Sequence, residues 1–145
     1  MLLIGNGRVI TRDQENPYLE DGAKACAYAT VLDCIRNGVT TIFDHHASFG
    51  EIPGSLFAIK DVVKELGIRS CLCYEVSKRD GEEKTLQSIK ENADFAKWAK
   101  EADDDMVKAM FGGHALFTIS DKSSGNVPVW GEINKHIQNV FVEIV

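Results

Sequence analysis

The chain has 145 residues, 44% hydrophobic and 26% charged, the make-up of a soluble globular protein long enough to bury a sizeable core. Its net charge of −6 and the scatter of its Lys and Arg, never more than two in a row, argue against nucleic acid as a partner, because phosphate binding needs a clustered basic surface. No apolar stretch approaches the roughly 20 residues of a membrane helix. The opening Met1-Leu2-Leu3-Ile4 meets Gly5-Asn6-Gly7 too soon for a signal-peptide core, so a cytoplasmic, membrane-free protein is the expectation.

Leu2 to Thr11 predicts a short strand with a turn signal at Gly5-Asn6-Gly7. Glu20-Asp21-Gly22 is a second turn signal, after which the pattern changes at once to helix. Ala23 to Arg36 carries Ala27, Val31, Leu32 and Ile35 at the spacing of one helical face, and Asn37-Gly38 tolerates the left-handed conformation that ends helices. Val39 to Phe43 is a β-branched run of strand length that leads into Asp44-His45-His46. Ser55 is placed to cap a helix carrying Phe57, Ile59, Val62, Val63 and Leu66, which Gly67 closes.

The cycle then repeats. Ile68 to Val76 predicts a strand, Lys84 to Lys100 an amphipathic helix, and Asp103-Asp104-Asp105 a solvated turn. Met106 to Phe111 predicts another strand, interrupted by Gly112-Gly113 before His114. The alternation α-β-α-β-α-β defines an α/β fold with a parallel sheet, whose strands are expected to be buried on both faces. After Ser120 the pattern fades into a Gly- and Pro-containing stretch and an apolar tail. Three strands and a tail cannot close an eight-stranded barrel, which takes about 250 residues. The four cysteines, Cys26, Cys34, Cys71 and Cys73, have no C-x-x-C spacing and read as buried free thiols.

Ligands of parallel α/β folds bind beyond the carboxyl ends of the strands. Three polar features fall there: Asp44-His45-His46, Glu75 and His114. Imidazoles and a carboxylate suit zinc or iron, but neighbours in a strand point to opposite faces, so His45 and His46 cannot easily grip one ion. Metal ligation, substrate contact and a structural role all stay open for this cluster. His114 follows two glycines that let the backbone turn or approach a ligand. His136 receives no role. Phosphate-loop, nucleophile-elbow and Ser/His/Asp patterns are missing.

The residues also carry a resemblance. Leu2 to Thr11 with Leu19-Glu20-Asp21-Gly22-Ala23 resembles the opening of the amidohydrolase superfamily, where it begins a small β-sandwich beside the catalytic barrel. Gly38 to Asp44 resembles that family's second barrel strand. Phe111 to Ser120 resembles the G-x-H-A-x-x-T-x-S segment of its deaminase and chlorohydrolase branch, and Ala27 to Met110 is most similar to its SsnA-type aminohydrolases. The resemblance implies a partial (β/α)₈ TIM-barrel-like parallel sheet over residues 24–120. It implies a β-sandwich remnant over 1–23, and leaves a poorly patterned tail over 121–145.

The family hydrolyses non-peptide C–N bonds of small molecules, commonly deaminating a heterocycle. A bound divalent metal, zinc or iron, activates the water by lowering its pKa. Its first-strand His-x-His metal pair has no counterpart in this sequence, as though an internal stretch were missing. The chain is therefore expected to bind no cofactor of its own, with no catalytic and no metal-ligating residue assigned. His114 matches the histidine that contacts substrate, and Asp44, His45 and His46 join it as substrate-binding candidates. The expectation is a hydrolase fragment that is catalytically incompetent alone and self-associates through exposed sheet edges. The alternative is a non-catalytic interaction or small-ligand-binding module.

Overall fold

The computed structural model describes residues 22–48 and 50–114. The expected strand over Leu2 to Thr11, the β-sandwich remnant up to residue 21 and the tail from residue 121 lie outside the described residues. In chain order the elements are α1 (Gly22–Arg36), β1 (Thr41–His46), α2 (Ser55–Leu66), β2 (Arg69–Val76), α3 (Glu82–Ala102), β3 (Val107–Ala109) and β4 (Gly112–Gly113). Among the described residues all strand pairings are parallel: β1 pairs with β2, and β2 pairs on its other side with both β3 and β4. The described residues therefore form an α/β fold with a parallel sheet and three helices, as the alternation of patterns predicts. No helix among the described residues is long and apolar enough to cross a membrane.

The helices pack on one face of the sheet. Leu72 and Tyr74 of β2 enter a core with Val31 of α1, Leu56, Ile59, Val62 and Val63 of α2, and Phe95 of α3. Phe57, Phe95 and Trp98 stack edge-on or tilted with ring centroids 5.3–6.2 Å apart, which locks α2 to α3. No described helix covers the other sheet face. Side chains on β1 alternate between exposed and half-buried, and Phe43 on the open face is 74% exposed. The expectation of strands buried on both faces thus fails for β1, because no helix of the described residues lies over that side. On α1, Ala27 and Val31 are buried, but Leu32 and Ile35 of the same predicted face are exposed.

Three local predictions are corrected. Ser55 does not cap α2; Gly54 does, with φ 83°, and no local side chain bonds the helix end. The Ser55 hydroxyl turns back to the Ile52 carbonyl. The free N–H groups of Gly54 and Leu56 donate instead to the Glu91 carboxylate of α3, at 2.8 and 3.0 Å, a negative charge set where the helix dipole favours one. Second, β1 begins at Thr41 and runs through His46, so Asp44-His45-His46 lies within the strand rather than after it. Third, of the four thiols only Cys73 is buried; Cys26 is exposed and Cys34 and Cys71 are half-buried.

The glycine pair continues the last strand instead of interrupting it. Leu72 faces Ala109 in β3 and Glu75 faces Gly112 in β4, so the register is unchanged across the gap at Met110-Phe111. Opposite that gap, the Tyr74 N–H donates to Asn92 Oδ1 and the Tyr74 carbonyl accepts from Asn92 Nδ2, both at 2.9 Å. The side-chain amide of α3 takes the place of the missing ladder bonds, as buried backbone groups require.

Candidate functional site

Parallel register fixes which side chains meet. His45 faces Cys73 and Glu75 faces Gly112, and residues two apart on a strand share a face. His45, Glu75 and His114 therefore come together on the open face at the carboxyl ends of adjacent strands. One donor atom of each lies within 4.8 Å of the other two. Nδ1 of His114 is 3.7 Å from Oε2 of Glu75, and the His45 and His114 rings stack with centroids 6.4 Å apart and an interplanar angle of 27°. The other carboxylate oxygen, Oε1 of Glu75, is 3.4 Å from Arg79. Glu75 is the enclosed member, its side chain 11% exposed against 45% for His114.

Gly112 makes this approach feasible. A Cβ there would sit 2.5 Å from the Tyr74 carbonyl oxygen, 2.8 Å from the Cys73 sulfur and 2.9 Å from Cδ2 of His45. The bare backbone lets the His45 ring lean over the strand towards Glu75. Beneath it, burial pushes the Cys73 thiol up to about 12, which keeps that sulfur protonated and inert at neutral pH.

Asp44 and His46 are placed elsewhere. They point to the helix side and line a cavity of about 130 Å³ with Ala23, Cys26, Ala27 and Val63. Burial raises the Asp44 carboxyl above its ordinary range and lowers the His46 imidazole below its own. Nε2 of His46 is buried without a hydrogen-bond partner, and the ring meets Tyr74 edge-on at 5.6 Å. Of the four residues singled out from sequence, the fold brings His45 and His114 together and sets Asp44 and His46 apart. It adds Glu75, whose position at a strand end was legible but whose role was not. A groove of about 470 Å³ near Thr41, Arg69 and Met106 lies at the amino-terminal ends of the strands, away from this cluster.

Comparison with known proteins gives a partial likeness. Over 97 residues the chain is 31% identical to the 5-methylthioadenosine/S-adenosylhomocysteine deaminase of Thermococcus onnurineus (strain NA1). The aligned stretch is 67% of this chain but 21% of that protein, so the chain spans about a fifth of this relative's length. No protein-family model matches the chain, and no solved structure matches it.

Proposed function

We propose that this chain carries part of the substrate-facing rim of an amidohydrolase-type enzyme acting on non-peptide C–N bonds, a deaminase within the SsnA-like branch. In this reading β1, β2 and β3–β4 are consecutive strands of a (β/α)₈ barrel, and the protein works in the cytoplasm on a small heterocyclic substrate. The observation that carries it is the convergence of His45, Glu75 and His114 at the carboxyl ends of three adjacent parallel strands, where such folds bind ligands. The partial likeness to a deaminase supports the reaction class. Imidazole nitrogens can donate to or accept from the ring nitrogens of a heterocycle, and the Glu75 carboxylate can accept from its exocyclic amine.

The metal that the resemblance implies would need the His-x-His pair, which the sequence lacks. Among the described residues the donor groups come instead from β1, from β2 and from the residue just past β4, so the residues present do not fit that centre. Such a metal would activate the water in the intact relatives; here the chain's own groups bind and orient. This chain alone is expected to bind substrate weakly and to release no ammonia.

The test is a histidine-selective NMR titration of the chelator-treated chain with 5-methylthioadenosine, beside an ammonia assay. Shifts at His45 and His114 that His114→Ala abolishes are expected, without turnover. Shifts at neither histidine would overturn the reading, and ammonia release would overturn the incompetence. A second reading, an interaction module, is favoured by exposed Phe43 on the sheet face that no described helix covers.

A further inference from the structure

We propose that His45, Glu75 and His114 form a site for one divalent transition-metal ion of the zinc class, built entirely from this chain. The site does not depend on the enzymatic reading above. It also differs from the centre the resemblance implies, since the ligands come from β1, from β2 and from the residue just past β4, and none from a His-x-His pair.

Two imidazoles and one carboxylate form a donor set that suits Zn²⁺ and Fe²⁺ and that the harder Mg²⁺ and Ca²⁺ do not favour. Bonds of about 2.0–2.1 Å in tetrahedral geometry put neighbouring donor atoms roughly 3.3 Å apart. Nδ1 of His114 and Oε2 of Glu75 are already 3.7 Å apart, and all three donors lie within 4.8 Å of one another. Closing on an ion therefore needs side-chain rotation of about an ångström, which exposed imidazoles can make without moving the sheet.

The backbone is set for it independently of the side chains. Register sets His45 beside Cys73, two residues before Glu75 on the same face of β2, and sets Glu75 beside Gly112, and the notch at Gly112 removes a Cβ that would crowd the His45 ring. Glu75 is mostly enclosed, so its orientation is held before an ion arrives. Arg79 contacts Oε1 from an exposed position, which leaves Oε2 for the ion at little energetic cost, since exposed ion pairs are weak. Three protein ligands leave a coordination position open to water or to a ligand atom.

The experiment titrates the chelator-treated, full 145-residue chain with Co²⁺ and Zn²⁺, reading cobalt d–d bands and calorimetric stoichiometry. One equivalent should bind without sulfur-to-cobalt charge-transfer bands, and Zn²⁺ should raise the melting temperature. His45→Ala and His114→Ala should each weaken binding at least tenfold and remove the thermal shift, while His46→Ala retains both. The isosteric Glu75→Gln carries the same test if an alanine variant does not fold. No binding at one equivalent, thiolate bands, or affinity that survives the His45→Ala, His114→Ala double variant would overturn the proposal.

Discussion

Two side chains of α3 do the work of backbone elsewhere in the fold. Asn92 closes the ladder at Tyr74 through both its amide atoms and also donates to the Ser88 carbonyl at 3.0 Å. Its removal leaves a buried N–H and C=O without partners, each worth about 1–3 kcal/mol. Asn92→Ala is therefore expected to cost about 3 kcal/mol, measured as a lowered midpoint in urea with an unchanged slope. Glu91 caps α2 from a neighbouring helix. Burial raises its carboxyl above the ordinary 4.5, against the opposing pull of the Gly54 and Leu56 N–H groups. A raised folded pKa means that the stabilisation is full below 4.5 and declines as the pH rises through the folded value. Glutamine keeps one acceptor oxygen and has no titration there. Glu91→Gln should thus cost about 1 kcal/mol in acid, with a deficit that narrows towards neutrality; a deficit that widens instead would contradict the burial argument.

At the scale of elements, periodicity placed every described helix and the two longer strands, because a 3.6-residue apolar repeat and a β-branched run are signals the local chain carries. It erred where a tertiary partner decides. The cap of α2 comes from Glu91, 35 residues further on than Leu56, and nothing near Ser55 reveals that. The pair Gly112-Gly113 reads as a break, since glycine weakens strands. The fold uses it as a strand that passes close to the Tyr74 carbonyl. Likewise the opposition of His45 to His46 follows from strand alternation alone. The meeting of His45 with Glu75 and His114 depends on inter-strand register, which local sequence does not encode.

At the largest scale the decisive feature is a sheet with helices on one face and a second face that none of the described helices covers, carrying Phe43 and His45. Apolar surface left on an open sheet favours contact with another copy. Sedimentation velocity is expected to show concentration-dependent association that Phe43→Ser reduces. A monomer at every concentration would instead mean that the face is content in water. The same face presents the His45–Glu75–His114 cluster, so association through it and ligand binding at the cluster are expected to compete.

β1, β2 and β3 lie in the sheet in the order in which they occur in the chain, with β4 continuing along the β3 side of β2, and each pairing spans only one intervening helix. Closing such loops is entropically similar from one unit to the next, since doubling a loop costs only about 0.6 kcal/mol. A sheet of this kind grows by accretion: each strand–helix unit docks on its predecessor and offers a fresh edge to its successor. Units can be added or lost at either margin while the pairing of those between them stays intact. A lineage can therefore shorten or extend such a sheet one unit at a time, each intermediate keeping the pairs it already has.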